Sequence, residues 1–255
     1  MKHKVSLIIP IGLFTEEQEK RTVESLSKLK DMNFELVLSY DGFSRSIDTQ
    51  DLSEIYEIKQ IINANTDGPS VARNLGVFAS TGDIICYMDM GDEIDSERIG
   101  WIKEAFGSYP MMELAFCGYI QIHSQIDDNF INPYELFVKL SKNNSDVTKL
   151  LAYGGIVPPL GVAHKRKIFY HCGGFQPKIK SDEDAILWRR MASMLPVHSI
   201  ACGDAVSGKH YFQDIERKFF DGIDVSDKEK YGNNGQGLDS DWFKYFNSER
   251  LGDGQ

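Results

Sequence analysis

With 255 residues, 42% hydrophobic and 26% charged, the chain has the make-up of a soluble globular protein, long enough for one large α/β domain or two small ones without a disulfide scaffold. A formal net charge of −10 and the absence of any lysine or arginine run exclude nucleic acid as the main partner and disfavour broad docking onto anionic lipid. Cys86, Cys117, Cys172 and Cys202 form no C-x-x-C pair, so zinc and redox motifs are unsupported and a reducing cytoplasm is favoured.

Residues 5–9 are an unbroken apolar run that predicts a central strand ending at Pro10. That run, broken by Pro10 and Gly12, is too short for a signal h-region or a membrane span. Thr15-Glu16-Glu17-Gln18 has the form of a capping box and starts a helix to about residue 30, with Val23, Leu26 and Leu29 facing inward. Residues 34–39 make a second strand, closed by the turn Tyr40-Asp41-Gly42, and residues 57–62 a weaker third. Gly68 and Pro69 open a helix over residues 70–80, with Val71, Leu75 and Phe78 on one face. Thr81-Gly82-Asp83 closes it, and residues 84–88 suit a buried parallel strand. Such alternation predicts a parallel, doubly wound sheet.

A helix follows Asp95 to about residue 106, and residues 113–122 are a further strand. Beyond that the pattern is less regular. Residues 133–142 and 147–152 look helical, 154–159 form a loop, and 161–163 lead into a short helix at 165–169 that ends at Gly173-Gly174. Residues 182–194 form the strongest helix of the second half, stopped by Pro196. Residues 221–255 are an acidic, glycine-rich tail. Its low apolar content favours disorder, whereas Trp242, Phe243, Tyr245 and Phe246 favour docking onto the domain.

Asp89 and Asp92 follow the fourth strand, where an open α/β sheet places its ligands. With Arg73 nearby they suggest a divalent metal plus a phosphate, hence chemistry on an activated phosphate ester. The alternative is a solvated acidic loop with Asp95 capping the next helix. Asp41 offers an acceptor-only carboxylate, yet Asp-Gly is also a common turn dipeptide. Arg73 could equally pair with a carboxylate, and Asn74 is expected to fix local turn geometry. Asp182, Glu183 and Asp184 suit a helix N-terminus by charge alone. Trp188, one turn after Asp184, could stack on a sugar but fits the core better. Arg189 and Arg190 are expected on a solvated or ion-paired face.

Five stretches in chain order resemble the inverting family 2 glycosyltransferases, which have the GT-A fold. Val5-Ser6-Leu7-Ile8-Ile9-Pro10 is similar to the family's VSIIIPxYN, and Ser39-Tyr40-Asp41-Gly42-Phe43 to its VDDGS. Asn65, Gly68 and Ala72-Arg73-Asn74-Leu75-Gly76 resemble N-x-G-x-x-x-ARN-x-G. Asp89-Met90-Gly91-Asp92 resembles D-x-D-D, and Gly173-Gly174-Phe175 with Glu183-Asp184 resembles GGF followed by ED. The resemblance spans residues 4–195. It departs from the pattern at Gly12-Leu13, where the family has Tyr-Asn, and at Gly91, which stands in place of the central aspartate.

The resemblance implies a Rossmann-like, mostly parallel sheet flanked by helices, with a less regular acceptor side. Residues 1–220 would be one domain, 1–95 holding a nucleotide sugar and 96–220 the acceptor. The donor would be a nucleoside-diphosphate sugar, UDP first, lined by Pro10, Asp41, Arg73 and Asp89. Asp41 would accept from the base, Arg73 would lie near the diphosphate, and Asp89 would meet ribose or a metal-bound water. Asp92 would hold Mn²⁺ or Mg²⁺, with His210 as a further ligand in place of a packing role beside Tyr211. The ion would neutralise charge developing on the leaving diphosphate. Asp184 would be the general base, taking the acceptor hydroxyl's proton on the face opposite the leaving group. Glu183 points about 100° away on the helix and cannot aim at the same hydroxyl. The acceptor would be a glycan or lipid-linked glycan of a surface polysaccharide. It would be met in the cytoplasm at the inner face of the membrane, with at most peripheral contact.

Two other readings compete. A catalytically inactive GT-A-fold binding or scaffold protein is supported by Gly91 and the missing Tyr-Asn, and opposed by Arg73, Asp92 and Asp184. A nucleotidyltransferase would carry a glycine- and lysine/arginine-rich loop after the first strand, and residues 11–19 have one glycine and no base.

Overall fold

The computed structural model describes residues 3–42, 45–122, 157–177, 179 and 182–211. The helices expected at 133–142 and 147–152, and the tail from 221, lie outside them. The chain opens with β1 (Val5–Ile11), α1 (Glu16–Leu26), β2 (Glu35–Asp41), α2 (Gln50–Ser53), β3 (Glu57–Asn63), α3 (Pro69–Ala79) and β4 (Ile84–Tyr87). These four strands are parallel in the order β3-β2-β1-β4. β1 is buried along its whole length, and its alternate side chains feed two cores. Leu7, Ile9 and Ile11 join Leu36, Leu38 and Ile84 on one face; Ile8 joins Val37, Ile85 and Tyr87 on the other.

Next come β5 (Glu93–Ile94), α4 (Arg98–Ser108), β6 (Leu114–Ile122), β7 (Val162–Lys165), α5 (Arg166–His171), α6 (Glu183–Met194) and β8 (Ile200–Tyr211). α1 and α4 cover the first core, and α3, α5 and α6 the second. β7 lies antiparallel between β4 and β6, while β8 runs parallel to β6 and antiparallel to β5. The eight strands therefore form one sheet, β3-β2-β1-β4-β7-β6-β8-β5, parallel in its first half and mixed beyond.

Several local expectations hold. Thr15 and Gln18 make both bonds of the capping box, and β3 is an edge strand with an exposed alternation. Others need correction. α1 ends at Leu26 rather than near residue 30, although Leu29 and Phe34 still pack into the core. β2 runs through Tyr40 to Asp41, two residues beyond the expected 34–39, so Asp41 stands at the strand's end. In α3 the apolar stripe is not the buried face: Ser70, Ala72, Arg73, Gly76 and Val77 face inward, and Phe78 is exposed. A Cβ on Gly76 would collide with Ile8, so small residues, not large apolar ones, let this helix approach the sheet. Gly161 ends a short 3-10 turn and Val162–Lys165 are strand rather than a lead-in, and β5 and β8 were not foreseen. β8 breaks its apolar residues with glycines and polar residues, and it is held by hydrogen bonding with β6 and β5.

Candidate active site

The polar residues gather beyond the carboxyl ends of β1, β2 and β4. Pro10 is buried near the end of β1, level with Ser39 of β2. Asp41 ends β2, and its two carboxylate oxygens accept from the backbone N–H groups of Asp67 and Gly68, each at 2.8 Å. The carboxylate thereby caps the loop into α3 and faces that helix's positive end. Both meanings expected of Asp41 are compatible with this, because each oxygen keeps a second lone pair.

Arg73 lies one turn into α3 and is buried. Its Nη2 donates to Asp89 at 2.8 Å and its Nη1 to Glu183 at 2.7 Å. Its guanidinium carbon stands 5.3 Å from the centre of the Phe175 ring, and its Nε has no partner among the described residues. Burial opposes the charge on Arg73, but Asp89 and Glu183 outweigh it and hold the proton more tightly than usual. Of the two meanings open to Arg73, the carboxylate pairing is the one present. Glu183 was missed as a site residue, and its adjacency to Asp184 is the signal that could have found it.

Asn74 does more than shape a turn. Its amide donates to the Phe175 carbonyl at 2.8 Å and accepts from the Phe175 N–H at 2.9 Å, pinning Gly173-Gly174-Phe175 to α3. Gly174 has a φ of +71° and a Cβ there would stand 2.7 Å from Asn74 Oδ1, so this close approach requires glycine. Arg190 is buried, not on a solvated face, and donates to the carbonyls of Cys172 and Gly174. Trp188 is core: it is fully buried, it meets Tyr87 and Phe175, and its indole N–H donates to the Val157 carbonyl at 3.2 Å.

The same packing fixes the first turn of α6. Asp182 adopts φ 56° and ψ 20°, the one non-glycine left-handed residue among those described. Such a conformation costs about 1–2 kcal/mol for an ordinary L-residue and less for aspartate. Asp184 follows, with Oδ1 accepting from the Ala185 N–H at 2.7 Å. Burial, reinforced by Glu183 and opposed by Arg73, pushes the Asp184 carboxyl from 3.8 up to about 7. A group that exchanges its proton near neutrality suits general base catalysis.

Asp92 and His210, 118 residues apart, meet where β5 pairs with β8: His210 Nδ1 lies 3.1 Å from both Asp92 oxygens. The Tyr211 N–H donates to Asp92 Oδ1 at 3.0 Å. Gly208 permits the pairing, since a Cβ there would collide with the Glu93 carbonyl. Arg21 covers the junction, 3.7 Å above the Tyr211 ring and donating to the Gly91 carbonyl at 3.0 Å. Burial pushes the Asp92 carboxyl up while His210 pulls it back. Tyr119 of β6 stands near both this pair and Asp184. Its ring meets His210 edge-on at 6.3 Å, and burial together with the Asp184 charge raises its phenol.

Asp92 and His210 fit a divalent ion as two neighbouring ligands, because cis ligands at about 2.1 Å from an octahedral ion stand about 3 Å apart. A carboxylate with an imidazole suits Mn²⁺ better than Mg²⁺. Among the described residues no group of three histidines, cysteines or acids is arranged for metal. The other positions would fall to diphosphate oxygens and water. Gly91 has a φ of +95°, and a Cβ there would stand 3.0 Å from Gln18 Cγ. The central acid that the motif lacks would therefore meet a strained backbone and a tight contact with Gln18 in this loop.

Residues 7–130, nearly half of the chain, match the model of glycosyl transferase family 2. That stretch carries the family 2 domain. Its fold is GT-A, and solved structures carry the same one. TarS of S. aureus superposes with a TM-score of 0.62 at 15% identity over 82% of this chain and 37% of TarS. The TarS 1–349 complex with UDP-GlcNAc gives 0.62 at 16% identity, over 82% of this chain and 59% of the other. The mannosyltransferase PcManGT of Pyrobaculum calidifontis, in complex with GDP-Man and Mn²⁺, gives 0.53 at 15% over 80% and 57%. At such identities the likeness is one of fold, and this chain spans less than two thirds of these three structures. A search of curated protein sequences finds no match. No helix among the described residues is long and apolar enough to cross a membrane.

Proposed function

We propose that the protein transfers a sugar, with inversion, from a nucleoside-diphosphate donor, UDP first, to a hydroxyl of a glycan or lipid-linked glycan. The observation that carries this reading is the span of one guanidinium. Arg73 joins Asp89, in the loop after β4, to the Glu183–Asp184 turn, so the acids expected on donor and acceptor sides meet around one residue. The donor base would lie against Asp41 and Pro10, and the ribose against Asp89. Asp92 and His210 would hold a divalent ion, which supplies positive charge to the leaving diphosphate. As the acceptor oxygen bonds to the anomeric carbon, its proton passes to the Asp184 carboxylate. The bond from that carbon to the diphosphate oxygen breaks on the opposite face, and its electron pair leaves with the nucleoside diphosphate. UDP-GlcNAc in TarS and GDP-Man with Mn²⁺ in PcManGT support a nucleotide-sugar donor and a divalent ion. Surface polysaccharide assembly at the inner membrane face, without a spanning helix, is the setting we favour.

A second reading, an inactive binding protein of the same fold, is favoured by the closed Gly91 position. Calorimetric titration with UDP, and GDP as control, with and without Mn²⁺, tests the donor site. Metal-supported, UDP-selective binding is expected, followed by turnover that Asp184→Asn abolishes. If neither nucleotide binds under either condition, the transferase reading fails.

A further inference from the structure

We propose that Arg73 is a positioning residue for the base: by tying Glu183 to Asp89 it fixes the first turn of α6 and leaves Asp184 as the carboxyl that takes the proton. The inference deepens the transferase reading and rests on it for the role of Asp184. Three acids, Asp89, Glu183 and Asp184, stand around one buried cation, and Arg73 has two terminal nitrogens to give. One goes to Asp89 and one to Glu183. Asp184, next to Glu183, is left with the Ala185 N–H as its bond and feels Arg73 only at longer range. Two adjacent carboxyls are thus placed in different surroundings, one with a guanidinium and one without, which is how a fold separates a structural acid from a working one.

The arrangement is held from every side. Arg73 packs over Phe175, which Asn74 pins to α3, and Arg190 of α6 grips the carbonyls before Phe175. The groups whose charge bears on Asp184 are Asp182 and Glu183 from the start of α6, Arg73 from α3 and Tyr119 from β6. Arg73 is the one cation in that set. Its guanidinium is buried and both terminal nitrogens bond acids of the protein, so support for the base accounts for that burial.

The test is the titration of the Asp184 carboxyl in the full chain, followed by carbon-13 NMR and assigned by the signal missing from Asp184→Asn. UDP calorimetry is run on the same samples. In Arg73→Gln the Asp184 midpoint should rise by about one pH unit or more, the effect of removing an opposite charge. In Glu183→Gln it should fall. The double variant, which removes the buried pair together and leaves no unpaired acid at position 183, should lie about one unit above Glu183→Gln. That comparison decides the matter if Arg73→Gln alone does not fold. Unchanged midpoints in both Arg73 variants would overturn the proposal. If UDP fails to bind the wild type while the midpoints move as stated, the donor reading is lost and the role of Arg73 toward Asp184 stands.

Discussion

Replacing Asp184 by asparagine should make the protein more stable, by an amount that depends on pH. The Asp184 carboxyl is pushed from 3.8 to about 7 by burial and by Glu183, so between those values the folded chain holds a proton that the unfolded chain has lost. The stability linked to that proton is complete below about pH 3.8 and is lost as the pH rises through about 7. At about 1.4 kcal/mol per unit, ionised Asp184 costs the fold up to about 4 kcal/mol. Asparagine keeps the shape and the oxygen that accepts from Ala185 N–H, but it cannot ionise. Urea denaturation of both proteins between about pH 4 and pH 8 measures the difference, in which the other titrating groups cancel. Near-equal stabilities are expected at the acid end. The asparagine variant should then gain an advantage that grows through neutrality, with UDP affinity retained. A difference that stays constant with pH would refute the claim that the fold holds this carboxyl protonated. For the wild type the same shift places the acid limb of the activity profile near pH 7, since the base works only when ionised.

Gly91→Asp supplies the acid that the motif lacks, yet it must adopt a φ of +95° against Gln18. It should cost about 1–3 kcal/mol in thermal denaturation and leave Mn²⁺ affinity in the presence of UDP no tighter. His210→Ala should weaken Mn²⁺-supported UDP binding by about tenfold or more while metal-free binding stays the same, read by calorimetry. Trp188→Ala should cost about 3–5 kcal/mol in urea denaturation. A folded Trp188→Phe variant should bind UDP normally, and a loss of binding there would contradict the core assignment.

Much of the first half of the chain was legible because it depends on near neighbours in the sequence. Residues 5–9 and 84–88 are apolar without interruption, so they become central strands whatever surrounds them. Thr15 with Gln18, and Gly68 with Pro69, mark helix starts by bonds made within a few residues. Asp41, Asp89 and Asp92 could be placed at strand ends because the strands could be. The face that a helix buries was a different matter. In α3 apolar residues mark one stripe, but the sheet can be approached only by the stripe with Gly76 and Ala72, and Arg73 goes inward with them. Arg190 has the charge of a surface residue and is buried because two carbonyls await it.

The site's pairings were decided by tertiary structure alone. Arg73 finds Glu183 across 110 residues and Asp92 finds His210 across 118. Neither distance leaves a trace in local periodicity. β8 shows why: its glycine-interrupted sequence keeps no regular alternation, and it forms where β6 and β5 present backbone groups to pair with. The types of residue needed for the chemistry are written along the chain. That Arg73 meets both Asp89 and Glu183, with Asp184 buried beside them, is set only when the two halves of the sheet come together.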